Sequence, residues 1–200
     1  MGTTGGVDSE YLPEIGIPFD LFVLKKHNAL CGDGTFHFTD SFSNLLFEVE
    51  SGSSESSSDP HYQKLIIDAA GDTLVNVVRV SKGKWEVFKG NSSEDNELMF
   101  KVERITNTIT EKEFEVFIAD ENNEDRKTDL RMKGCPFKRS CTIYKGNSIM
   151  AQSSRMYTIG FQNQFVPRNR FRITLFPGPC DLLLVISLFV VFLYKRKFWE

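Results

Sequence analysis

Three histidines and four cysteines are all that this chain of 200 residues offers to metal or nucleophile chemistry. His27, His37 and His61 are scattered, and there is no H-E-x-x-H, no G-x-S-x-G elbow and no Gly-rich phosphate loop ending in Lys-Ser or Lys-Thr. The sequence is therefore read as a non-enzyme, with no catalytic residue, no cofactor and no metal. Cys31, Cys135, Cys141 and Cys180 form no C-x-x-C pair, so buried free thiols are expected rather than zinc or disulfides. The opening MGTTGGVDSEYLPE has neither a basic region nor an apolar one, which excludes a secretory signal, and Gly6 stands where the myristoylation pattern needs Ser or Thr. A cytoplasmic chain is expected, with the nucleus open to it, and the sequon at Asn91 then has no role. A basic excess is missing too. A net charge of −3 and a pI near 5.7 argue against direct nucleic-acid binding.

The chain also lacks an apolar run long enough to cross a bilayer comfortably. Leu182 to Tyr194 is apolar apart from Ser187, but its roughly 13 residues make a helix of roughly 20 Å, against a hydrocarbon core of about 30 Å. Extension back to Ile173 runs through Pro177, Gly178, Pro179 and Asp181, which break a helix and would place a carboxylate in lipid. A segment apolar on every face must be surrounded on every face. The protein's own interior is the favoured surrounding; a tail anchor carrying an adaptor domain, with residues 182–194 as its span, is the alternative.

What is present in quantity is phenylalanine. Eighteen Phe, with 40% hydrophobic and 26% charged residues, describe a globular chain with a large aromatic core. Residues 1–18, Gly- and Thr-rich and then marked by Pro13 and Pro18, read as a loose arm. From Phe19 the pattern is β: FDLFVLKK, then strands over Thr35 to Thr39 and Leu45 to Glu50 around a turn at Ser41 to Asn44. The same unit recurs 28 residues on, with Phe38 answering to Ile66, Asp40 to Asp68, Ser43 to Gly71, Asn44 to Asp72, Leu46 to Leu74 and Val49 to Val77. Each copy is a strand ending in Asp, whose carboxylate can accept turn N–H groups, then a small residue able to take positive φ, then the return strand. IYKGNSIMAQ is a weaker echo, with Gly146 and Asn147 at the turn. The polar SGSSESSSD, Ser51 to Asp59, reads as a mobile loop.

Further on, Trp85 and Val87, then Leu98, Phe100 and Val102, then Phe114, Val116 and Ile118 alternate with mostly polar residues, and nothing before Pro177 has a helical period. About 12 short antiparallel strands tend to curl and close, and a barrel of that size leaves an interior that side chains alone do not fill. The apolar terminal helix fills it. The expectation is a mainly β fold, a closed antiparallel barrel of about 12 strands over residues 19–194, threaded by a hydrophobic helix at about 181–194, with a basic-aromatic tail at 195–200.

The stretches FTDSFSNLLFEVE, LIIDAAGDTLVNV, WEVFKG, DLRMKGCPFKRSCTIYKGNSIMAQ and FRITLFPGPCDLLLVISLFVVF resemble the plant LURP-one-related (LOR) family over about residues 18–193. The resemblance implies a fold similar to the Tubby C-terminal domain and to phospholipid scramblases, a closed barrel of twelve strands around a hydrophobic helix. It also implies a role in plant defence and a relation to membrane-tethered transcription regulators. The ending LYKRKFWE departs from the acidic or mixed tails usual in the family, and such basic and aromatic residues also occur at membrane interfaces.

Tubby-like domains bind phosphoinositides through Lys and Arg, which directs attention to two basic clusters here. RKTDLRMKGCPFKR holds Arg126, Lys127, Arg131, Lys133, Lys138 and Arg139 against Asp129, and RNRFRITLF holds Arg168, Arg170 and Arg172 on one strand face. Such guanidinium groups can fork onto phosphate oxygens, and repel one another without an anion or acidic neighbours. The candidates for an anionic headgroup are Lys133, Lys138, Arg139, Arg168, Arg170 and Arg172. DENNED, Asp120 to Asp125, fails the EF-hand template, with Asp125 in the glycine position and Arg131 in place of the bidentate Glu; it reads as a solvated turn, and calcium-driven scramblase-like transport is the weakest reading. A monomeric binding module is expected, peripheral at membranes through phosphoinositide or another anionic lipid, with a protein partner that the sequence does not identify.

Overall fold

The computed structural model describes residues 16–26, 35–52, 63–108, 110–119, 125–135, 138, 140–156, 170–178 and 181–193. Within them the strands are β1 (Phe19–Lys26), β2 (Thr35–Thr39), β3 (Leu45–Ser51), β4 (Gln63–Asp68), β5 (Thr73–Ser81), β6 (Lys84–Lys89), β7 (Leu98–Asn107), β8 (Lys112–Ala119), β9 (Asp125–Cys135), β10 (Ser140–Lys145), β11 (Ser148–Arg155) and β12 (Arg170–Leu175), followed by one helix, α1 (Leu182–Leu193). Each strand pairs antiparallel with its sequence neighbours, and β1 pairs with β12 from Phe19 against Leu175 to Leu24 against Arg170, so the sheet closes into a barrel. The expectation of about 12 strands around a terminal helix holds. Among the described residues a 3-10 turn, Asp95–Glu97, leads into β7.

Strand alternation fills the barrel. Leu21, Val23, Phe38, Val49, Ile66, Val87, Val102, Phe114, Val116, Met132, Phe171 and Ile173 all point inward and are essentially sealed from solvent. At the centre lies α1, buried from Val185 to Phe192. Phe189 meets Phe38 of β2 edge-on at 6.3 Å and Phe171 of β12 at 5.2 Å, while Phe192 meets Phe114 of β8 at 6.4 Å; Phe114 in turn lies 5.7 Å from Trp85 of β6. Each such ring contributes about 2 to 3 kcal/mol by burial, with edge contacts adding to it. Ser187, the polar break in the run, donates its hydroxyl to the Leu183 carbonyl at 2.7 Å and so carries no unmet donor into the core. Asp181 stays outside as the cap, its carboxylate accepting from the amides of Leu183 and Leu184 at 2.9 and 3.3 Å.

The repeated hairpin has one geometry in both copies. Asp40 Oδ1 accepts from the amides of Phe42 and Asn44, and Asp68 Oδ1 from those of Ala70 and Asp72, all at 2.8 to 2.9 Å. Ser43 takes φ 69° where Gly71 takes φ 97°, the positive torsion expected at that place in the unit.

A barrel in which successive strands alternate in direction has two rims. Even-numbered strands finish at the rim where α1 begins, which we call the entry rim; odd-numbered strands finish at the exit rim, toward which α1 runs, since Phe192 near its end meets Phe114 near the start of β8.

Candidate anion-binding site

Outward-facing positions of β8, β9 and β10 bring a carboxylate, two cations and a phenol together on the wall. Pairing sets Glu113 against Lys133 and Lys133 against Thr142 in one row, and Glu115 against Arg131 and Arg131 against Tyr144 in the next. With inward Met132 and Ile143 sealed, alternation sends Arg131, Lys133 and Tyr144 to the outer face. Beyond Tyr144, the two-residue turn at Gly146 and Asn147 is opened by Gly146 at φ 59°, and the Gly146 amide donates to the Asp129 carbonyl at 3.0 Å, tying that turn back to β9. Together Glu113, Arg131, Lys133, Tyr144, Gly146 and Asn147 line a recess of about 280 Å³.

Its electrostatics divide by residue. Lys133 Nζ lies 2.7 Å from Glu111 Oε1, and that hydrogen bond, followed by the Glu111 charge, raises its pKa above the ordinary lysine value and keeps it cationic. Arg131 is exposed and makes no ion pair among the described residues. A guanidinium fork beside an ammonium and a phenol supplies donors for an anion, and the Glu113 carboxylate supplies an acceptor for hydroxyl groups on the same ligand.

The six sequence candidates are not brought to one place. Lys133 lies in the recess, Lys138 is exposed in the connection from β9 to β10, and Arg170 and Arg172 are exposed on β12. Arg139 and Arg168 lie outside the described residues. Two whole strands, β10 and β11, separate Lys133 from Arg172, a gap of about 14 Å at the usual strand spacing. The arginine face has the acidic neighbour it needs: Arg172 Nη1 is 3.4 Å from Asp20 Oδ2, and Thr174 Oγ1 donates to Asp20 Oδ1 at 2.6 Å. Asp20 reaches β12 only because β1 closes the barrel. Sequence reasoning left Arg131 out of the candidate set and missed Tyr144 altogether, although IYKGN had already marked the turn beside it; the β9 to β10 register is what joins them.

His37 lies on the outer face between inward Phe36 and Phe38, its Nε2 2.9 Å from Glu48 Oε1 across the hairpin. Cys135 and Cys141 are free thiols, and burial pushes Cys141 up to about 12, which leaves it protonated and inert; Cys31 and Cys180 lie outside the described residues, as does most of the Asp120 to Asp125 turn. Among the described residues no three His, Cys, Asp or Glu side chains converge as a metal site requires.

The architecture defines a class: an antiparallel barrel of twelve strands built around its own carboxy-terminal helix. A solved crystal structure of an Arabidopsis thaliana protein shares it, with a TM-score of 0.62 at 27% identity over 88% of this chain and 90% of that one. The chain belongs to the LURP-one-related family, whose model matches residues 19–193. Among its Arabidopsis thaliana relatives, LURP-one-related 7 is 37% identical over 88% of this chain and 90% of its own length, and LURP-one-related 15 is 30% identical over 87% and 78%. Among the described residues no helix is long and apolar enough to cross a membrane.

Proposed function

We propose that this LURP-one-related protein is a non-enzymatic binding module, peripheral at the cytosolic face of membranes, whose outer-wall recess takes the headgroup of an anionic phospholipid, a phosphoinositide. The observation that carries the reading is Arg131. An exposed guanidinium with no ion pair among the described residues, set beside the Lys133 ammonium and the Tyr144 phenol, is a fork presented for phosphate oxygens. Glu113 favours a polyol phosphate over a bare phosphate, because its carboxylate repels phosphate oxygens in both, a repulsion offset by accepting hydroxyls from the polyol. Arg172, committed to Asp20, has a smaller part than the sequence alone assigns to it.

The test is capture of the full chain by phosphatidylcholine vesicles with and without phosphatidylinositol bisphosphate, at fixed salt. Arg131→Glu with Lys133→Glu is expected to lower capture by about tenfold or more, while Arg172→Gln changes it little. Equal capture of the parent protein by neutral vesicles would sink the reading.

A further inference from the structure

The exit rim carries two β-bulges in corresponding places. Pairing of β5 with β6 skips Val80, between Arg79 opposite Trp85 and Ser81 opposite Lys84; pairing of β7 with β8 skips Ile105, between Arg104 opposite Phe114 and Thr106 opposite Glu113. The two segments match as Arg-Val-Ser and Arg-Ile-Thr, each set across from an aromatic residue, and the aromatics touch in the core at 5.7 Å. A bulge re-aims one side chain. Here both re-aimed side chains are aliphatic and both reach solvent, Val80 38% and Ile105 52% exposed, on hairpins that neighbour each other around the barrel. The two hairpins are bound together, since the Arg104 amide donates to the Gly83 carbonyl at the tip of the β5–β6 turn at 2.7 Å.

Cations surround these two aliphatics. Lys82 and Lys84 flank the first turn, Lys112 opens β8 just past the second, and Lys138 follows at the next turn along the rim. Glu103 answers Lys84 at 2.6 Å and Glu111 answers Lys133, whereas Lys82, Lys112 and Lys138 make no ion pair among the described residues. Lys112 is half-buried, and that burial, followed by the positive charge of Arg104, holds it below the ordinary lysine value. The entry rim is the opposite in sign: Asp40 and Asp68 hold their turns and Asp181 caps α1, while Asp72, Glu94 and Asp95 are exposed. A surface that is anionic, laterally continuous and apolar just beneath fits two separated aliphatics standing among lysines.

We propose that the barrel docks on an anionic bilayer by its exit rim, with Val80 and Ile105 entering the headgroup boundary and Lys82, Lys112 and Lys138 lying on lipid phosphates. This rests on the headgroup reading above and adds to it the orientation of the molecule. The recess runs from Lys133, two residues from the exit-rim end of β9 and joined to that rim by Glu111, to the Gly146–Asn147 turn after β10, so its Lys133 end is the part that adjoins the docked rim.

The experiment uses the full chain, Ile105→Trp, and Val80→Asn with Ile105→Asn, on phosphatidylcholine vesicles carrying phosphatidylserine or phosphatidylinositol bisphosphate. Both positions are exposed bulge residues, so thermal melts of the variants should match the parent. The expected results are a blue shift of the added tryptophan and its quenching by brominated lipid, and about tenfold weaker capture of the double asparagine variant. Capture that survives the double variant, with an unshifted tryptophan, overturns the end-on docking and leaves the headgroup reading standing. No capture of the parent by any anionic vesicle overturns both. Self-association without vesicles that the double variant abolishes overturns the docking in favour of a second copy as the occupant.

Discussion

At the scale of single residues, two glycines show how different physical causes converge on one residue type. Gly71 has φ 97° and open space where a Cβ would stand, so only the torsion requires glycine there. Gly134 has ordinary torsions, but a Cβ on it would run into the Ser140 carbonyl oxygen and lie 2.6 Å from Cys141 Cα, backbone that cannot step aside. Gly71→Ala is therefore expected to cost about 1 kcal/mol, and Gly134→Ala about 3 kcal/mol or more, in urea unfolding of the two variants. Equal losses would show that β10 yields more than its pairing with β9 implies. The first of these sites is legible in the sequence, because the Asp40 and Asp68 units align and put Ser43 and Gly71 at the same step. The second is not. Nothing in MKGC announces that β10 approaches so closely at Gly134; that is a property of the pairing.

At the scale of elements, α1 is the clearest case of a segment whose composition dictates its place. Twelve residues without a polar face, capped by Asp181 outside, have one stable surrounding within this chain, and the strands provide it. Its two kinds of buried side chain should respond differently. Phe189→Ala removes a ring held by Phe38 and Phe171 and is expected to cost about 3 to 5 kcal/mol, whereas Ser187→Ala, which deletes a hydroxyl satisfied within the helix itself, should stay within about 1 kcal/mol. Chemical denaturation of both variants decides it; a large loss for Ser187→Ala would mean that its hydroxyl does more than bond to Leu183. The strands were legible for the same kind of reason, since alternation of Phe36 and Phe38 with His37 is a local pattern. Their ends were less so: β7 reaches Asn107 and β9 begins at Asp125, inside stretches whose polar composition reads as turn, because cross-strand hydrogen bonds extend ladders past the last apolar residue.

At the scale of the whole molecule, closure and core act together. β1 and β12 pair across about 150 residues of chain, and the barrel they close is filled by the helix that follows β12. A chain ending before Asp181 is expected to aggregate, while the full chain elutes as a compact species without detergent; size-exclusion profiles of the two test this, and a soluble truncation with a detergent-requiring full chain would return residues 182–194 to the role of anchor. The sequence by itself determined what depends on near neighbours: the alternating strands, the Asp-led turns with their positive torsion, the thoroughly apolar helix, and from their number the closed barrel. Tertiary structure alone decided which charges meet. It set Asp20 against Arg172, drew Arg131 and Tyr144 into one recess, left two strands between Lys133 and the β12 arginines, and gathered Val80 and Ile105 among the lysines of one rim. The reason is physical: alternation and turn torsions are settled within a few residues, whereas strand register and bulges are settled by pairing with strands whose identity a linear pattern does not carry.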